Sequence, residues 1–264
     1  MTMSEYVRER EIRGQVSFTI DDVRNTLNLS DGALLTELQR QVARGRIIIP
    51  YRGFYVIIPP QYVLKGVVPP TYYIHELMSA VGKPYYVCLL SAAALHGAGH
   101  QRSMQTQVMT VAPRLKPSKK NALLDWNYRQ SIPQELLMRK NTEIGVMLYS
   151  NPELTAVDLV QFASHVGGFG RAATVLSELI ECVDISKMKA VIPHTTTATL
   201  QRLGCLLEFV LENQRESDKL HVLLQGSCLK QKTILMSNSY DKNTNAPTNR
   251  WHVNMNIDIE IDEI

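Results

Sequence analysis

Cysteine is scarce and scattered: Cys88, Cys182, Cys205 and Cys228 are the only four in 264 residues. None has the paired spacing of a zinc site or redox motif, and four in a chain this long make no disulfide framework. No apolar run approaches the ~18–20 residues needed to span a bilayer. The N-terminus, Met1-Thr2-Met3-Ser4-Glu5-Tyr6-Val7-Arg8-Glu9-Arg10, is charged and lacks the apolar stretch of a secretory signal. No nucleophile stands in pattern with a base, and no internal repeat is visible. These absences lead to the expectation of a cytoplasmic, soluble protein that is not an enzyme, holds neither metal nor cofactor, and has no membrane partner.

What is present is enough to bury a core: 45 % of residues are apolar and 20 % charged. The length is about twice that of a typical domain, so two domains are expected. Splitting the net charge of +3 is informative. Residues 1–65 hold 9 Lys/Arg against 7 Asp/Glu, residues 66–150 hold 9 against 4, and residues 151–264 hold 10 against 14. A basic front and an acidic back suggest a polyanion partner for the front.

Residues 1–65 are the most readable. Ser4 to Arg13 reads as a first helix stopped by Gly14, and Val16-Ser17-Phe18 as a short strand. Thr19 opens a second helix, with Asp22 completing a capping-box-like pair and Ile20, Val23 and Leu27 on one face. Ser30 caps a third helix running through Ala43, with Leu35, Leu38 and Val42 expected inward and Gly45 as its stop. Ile47 to Pro50 and Phe54 to Ile58 read as strands joined by Tyr51-Arg52-Gly53. This order is that of a winged helix-turn-helix, whose third helix can enter the major groove while the hairpin tip reaches the backbone. The third helix would show Gly32, Ala33, Thr36, Arg40 and Arg44 opposite Leu35 and Leu38, the small residues permitting close approach. Thr36 and Arg40 would offer donors to base edges, and Arg52 would clamp a phosphate. A plain protein-interaction module is the other reading, since Asp31 and Glu37 lie near the proposed face.

The stretch 61–70, with Pro59-Pro60 before it and Gly66 and Pro69-Pro70 within it, reads as a stiff linker, dividing the chain into 1–65 and a mixed α/β body, 66–264. In that body a helix from Thr71 to Val81 is expected, then a strand at Tyr85-Tyr86-Val87 and a small-residue helix from Ser91 to Leu95. Strands follow at 108–111, 136–138 and 144–149, helices at 152–163, 169–183 and 197–213, and strands at 233–236 and 251–259. The fold class expected is therefore mixed α+β. His96 and His100 flank Gly97-Ala98-Gly99, which breaks the single helical face a metal pair needs, so a structural role is preferred. Gly167-Gly168-Phe169-Gly170-Arg171 lacks the Lys-Ser/Thr of a P-loop and reads as a turn between helices. Arg114-Leu115-Lys116-Pro117-Ser118-Lys119-Lys120 is a dense basic loop, either solvated or a surface for phosphates through Lys116, Lys119 and Lys120.

Behind the winged-helix pattern come three motifs: Tyr85-Tyr86-Val87-Cys88-Leu89-Leu90-Ser91-Ala92-Ala93-Ala94-Leu95-His96-Gly97, then Ser150-Asn151-Pro152-Glu153-Leu154-Thr155-Ala156-Val157-Asp158-Leu159-Val160, then Arg202-Leu203-Gly204-Cys205-Leu206-Leu207-Glu208. In order and spacing the chain resembles, from about residue 5 to 215, the AbiEi antitoxins of bacterial type IV toxin–antitoxin (abortive infection) systems. The resemblance implies an N-terminal domain that represses its own promoter by binding double-stranded DNA. It also implies a C-terminal domain that counters a nucleotidyltransferase-like toxin encoded beside it, without need of a stable complex. Ser91, Leu95, His96, Gly97, Pro152, Glu153, Asp158, Arg202, Leu203 and Gly204 match the family's pattern, several of them as parts that hold the fold. A transcriptional regulator or adaptor with a sensing C-terminal domain and no toxin is the alternative.

Overall fold

Side-chain caps decide where the first three helices begin. The computed structural model describes residues 1–99, 104–115, 123–227, 229–237 and 249–261. His100, Lys116, Lys119, Lys120 and Cys228 therefore lie outside the described residues. Helix α1 (Met3–Ile12) starts from a capping box between Thr2 and Glu5. Strand β1 (Ser17–Thr19) runs directly into α2 (Ile20–Thr26), where the Thr19 hydroxyl accepts from the Asp22 amide and the Asp22 carboxylate accepts from the Thr19 amide. Each bond satisfies an amide that the first helical turn would leave unpaired. Ser30 does the same for α3 (Asp31–Ala43), accepting from Ala33.

Strands β2 (Ile47–Tyr51) and β3 (Phe54–Ile57) form an antiparallel hairpin, and β1 adds on the far side of β3 to give the order β1-β3-β2. The register shifts between Ile48 and Tyr51, the interval that holds Pro50, which has no amide to give to a ladder. Tyr51 pairs with Phe54, leaving Arg52-Gly53 as the turn, with Gly53 at φ +78°. Phe18 centres this core, edge-on to Tyr6 and stacked on Tyr55 with ring centroids 5.3 Å apart. Met3, Val7, Val23, Leu27, Leu34, Leu38, Ile47 and Ile57 close around it.

One expectation fails here. Leu34, not Leu35, points inward, and Leu35 is 47 % exposed. At 100° per residue, Leu34, Leu38 and Gln41 form the buried stripe, and Leu35 lies off its edge. Gln41 fills the third place with its amide donating to Ser4 Oγ at 3.1 Å, while its carbonyl oxygen has no partner.

Two compact units divide the described chain. The first takes Met1–Tyr86, Met104–Ile132 and Arg139–Tyr149; the second takes Val87–Ser103, Pro133–Met138 and Ser150–Ile264. Besides the elements above, the first unit holds α4 (Ile74–Val81) and most of a five-stranded sheet. The sheet comprises β4 (Tyr85–Val87), β5 (Thr106–Val111), β6 (Leu124–Arg129), β7 (Leu137–Asn141) and β8 (Val146–Ser150), in the order β6-β5-β4-β8-β7. Strands β5 and β6 run parallel. Helix α4 starts three residues later than Thr71, because a single 3-10 turn at Pro70–Tyr72 comes first. Strand β6 was not foreseen, since it follows the basic loop and mixes Asp125, Asn127 and Arg129 with its apolar residues.

The second unit is helical: α5 (Leu89–Leu95), α6 (Pro152–Gln161), α7 (Phe169–Leu179), α8 (Met188–Val191), α9 (Thr197–Phe209) and α10 (Gln214–Gln225). Helix α10 is separate from α9 because Glu212 takes φ +50°, which no helix continues through. The strand expected over 251–259 shrinks to β10 (Val253–Asn254), parallel to β9 (Ile234–Leu235). His252 at φ +55° bends the chain, and Asn249 and Asn256 side chains bond the neighbouring backbone in place of a longer ladder. The mixed α+β class holds.

Replacing Thr19 by Ala removes one half of the α2 capping box and should lower stability by about 1 kcal/mol, read as a lower midpoint in urea unfolding with an unchanged slope.

Candidate functional site

The exposed side of α3 carries the residues expected to meet a partner. Gly32, Ala33, Thr36 and Arg40 are all exposed, as is Arg44 at the helix end, and Leu35 and Gln39 join them. Thr36 donates its hydroxyl proton to Gly32 O at 2.8 Å, so only its oxygen lone pairs remain to offer outward. Arg40 is ion-paired with Glu37. Asp31 is held by Arg24 at 3.1 Å, and Arg24 also meets Asp21 at 2.9 Å. The acids that sit beside this face are thus neutralised within the chain. Arg44, Arg46 and Arg52 are exposed and form no ion pair among the described residues, Arg52 at the tip of the β2–β3 turn. Arg114 is exposed and lies over the Tyr128 ring, 5.6 Å from its centroid.

The motif residues of the second unit are knit into its core. Ala92 and Ala93 in α5 are fully buried, small enough for α5 to pack closely on α6. His96 ends α5, and its Nε2 lies 2.8 Å from Ser150 O; a carbonyl only accepts, so that nitrogen carries the proton. Gly97 follows at φ +87°. The buried Ser150 hydroxyl shares a hydrogen bond with Thr155 at 2.6 Å. Asn151 caps α6, accepting from Leu154 at 2.9 Å, and Pro152 takes the first helical position, where its missing amide is harmless. Glu153 is buried and accepts from the Asp184 amide at 3.0 Å, and Asp158 is fully buried in the same helix. Ser91 is half-buried on α5.

Arg202 on α9 gives two donors to Leu235 O, at 3.1 and 2.9 Å, and burial lowers the pKa of its guanidinium. Gly204 has a plainer task. A Cβ there would run into the six-membered ring of Trp251, which is fully buried. Trp251 donates through Nε1 to Glu208 at 2.7 Å, and Glu208 also accepts from Arg250 Nε at 2.6 Å and Ser217 Oγ at 3.1 Å. Cys205, one residue past Gly204, is buried enough that its thiol is pushed up to about 12. The Arg250–Trp251–Glu208 cluster was not visible in sequence, because Glu208 lies more than 40 residues before the adjacent Arg250 and Trp251.

The glycine turn before α7 opens on a cleft of about 460 Å³, lined by Ser164, Gly167, Gly168, Arg202, Ser237 and Asp258 among others. Gly167 and Gly168 both take φ near +100°, which the turn demands, and no side chain caps α7. Among the described residues no cluster of His, Cys, Asp or Glu could hold a metal ion, and no helix is long and apolar enough to cross a membrane.

Residues 85–209 match the protein family described as the AbiEi antitoxin C-terminal domain. The chain carries an AbiEi-type antitoxin domain. That span contains the three motifs and the buried ties of α5, α6 and α9 described above. No curated protein sequence matches the antitoxin chain. Among solved structures, the crystal structure of the RV2827C protein from Mycobacterium tuberculosis is similar in fold, with a TM-score of 0.67 over 95 % of this chain and 89 % of that one, at 12 % identity.

Gly204→Ala should expel Trp251 from its seat and destabilise the antitoxin domain by about 3 kcal/mol or more. In a Trp126→Phe background, red-shifted Trp251 emission at a lowered melting temperature would report it; an unchanged spectrum and melt would contradict the packing.

Proposed function

We propose that this antitoxin is also a DNA-binding autorepressor, with residues 1–65 as a winged helix-turn-helix module and residues 66–264 as the body that opposes a toxin. The observation that carries the DNA reading is α3 with its exposed face, followed by a hairpin tipped by Arg52. In this reading α3 lies in the major groove of the protein's own promoter. Thr36 and Arg40 face base edges, Arg44 and Arg52 meet phosphates, and the basic loop through Lys116, Lys119 and Lys120 adds backbone contacts by virtue of its charge alone. The toxin countered is nucleotidyltransferase-like, by the chain's family resemblance.

The motif residues support a division of labour. His96, Glu153, Arg202 and Gly204 are all engaged within the fold, so they shape the antitoxin body and leave contact with a toxin or its target to side chains on the surface. Rescue then proceeds by binding or competition, with no chemical turnover.

The test uses the whole chain. Binding to the upstream duplex should weaken steeply with salt, and Arg44→Ala with Arg52→Ala should lower the log–log slope by roughly 0.9 per lost phosphate contact. The same double variant should lose repression of a promoter reporter yet still restore growth when co-expressed with the adjacent toxin gene. Salt-insensitive or absent binding would favour an adaptor role, and loss of rescue together with repression would remove the division between module and body.

A further inference from the structure

The exposed face of α3 is poor in the groups that read guanine and cytosine. Guanine is read chiefly by a bidentate Arg or Lys, and cytosine by an acidic acceptor. The only arginine within the α3 span is Arg40, and it pairs with Glu37, the only acid midway along the helix, so the two charges offset each other on this face. The Thr36 proton is already given to Gly32 O. Beside the Arg40–Glu37 pair, Leu35, Gln39 and Ala43 are exposed along one side of the helix. Leu35 shows 47 % of its surface, although the buried stripe of the same helix passes one residue away at Leu34. Among the described residues the Gln39 side chain makes no hydrogen bond, unlike its helix neighbours Thr36, Arg40 and Gln41.

Resting on the DNA-binding reading, we infer that α3 recognises an A·T-rich half-site, with Leu35 packed on thymine methyl groups and Gln39 paired with adenine. An aliphatic side chain fits the C5-methyl that only thymine presents in the major groove. A glutamine carboxamide donates to adenine N7 and accepts from its N6 amino group. Leu35 and Gln39 are one helical turn apart, about 6 Å along the axis, near the span of two base-pair steps of about 3.4 Å. They therefore address two pairs of one short run, two steps apart. Arg44, Arg46 and Arg52 supply the charge complementarity that commits this face to a polyanion, and they carry no base information themselves.

The experiment selects duplexes from a random-sequence library with the full-length protein, then replaces each thymidine of the selected site by deoxyuridine, which removes only the methyl group. Enrichment of A·T pairs in the half-site is expected, with one or two uracil substitutions weakening binding about fourfold each. Those substitutions should have no effect on Leu35→Ala, and should keep their effect on Leu35→Met, which retains an apolar side chain of similar volume. Gln39→Ala should relax selection at a separate adenine by about tenfold. Tight, selective binding that is indifferent to every uracil overturns this inference and leaves the DNA-binding reading standing. Failure to select any duplex overturns both.

Discussion

Helix α6 is surrounded. From Glu153 to Val160 every residue is buried, and α5, α7, α8 and α9 all pack on it. A helix in that position must answer for each polar group it carries, because an unpaired donor or acceptor in the interior costs about 1–3 kcal/mol. Its start is answered by Asn151 and Pro152, Glu153 by the Asp184 amide, and Thr155 by Ser150. Ser150 in turn gives its carbonyl to His96. The first two of the chain's motifs are therefore a set of polar ties converging on one buried helix, which the neighbouring helices of the unit surround.

A second carboxylate, the half-buried Glu208 on α9, gathers donors within the same unit. Glu208 collects donors from α10, from Arg250 and from the indole of Trp251, and Gly204 leaves the space that the indole fills. Hydrogen bonds to a carboxylate from charged and indole donors are among the stronger ones. Helix α9 thus joins packing and charge. Its small residue admits the ring, and its acid four residues on holds the ring's polar edge.

The first 65 residues have their charges arranged differently. Their net balance is small, yet their acids are not spread evenly over the surface: Asp21 and Asp31 share Arg24, Glu37 holds Arg40, and Asp22 is spent in a cap. Exposed pairs of this kind add at most about 1 kcal/mol to stability. Their larger consequence is to leave Arg44, Arg46 and Arg52 as uncompensated charge beside a nearly neutral helix face. Such a surface sets a few exposed cations beside a face of apolar and amide groups.

Local chemistry was legible from the amino-acid string: the caps at Thr19 and Ser30, the Asn151-Pro152 helix start, the glycine turns at Gly45 and Gly53, and the mixed α+β order of elements. Each depends on residues within about four positions of one another, so the sequence alone carries the whole cause. The family motifs were legible for the same reason, as short runs in order. Only the tertiary structure decided the phase of α3, because Leu34 and Leu35 are equally apolar and the choice between them is made by Phe18, Ile47 and their neighbours, which the helix does not contain. It likewise decided that α9 and α10 part at Glu212, that the alternating segment after Trp251 is mostly not a strand, and that Gly204 is a seat for a ring 47 residues further on. Contacts across such distances depend on where the chain has been carried by everything between, and no local pattern records that.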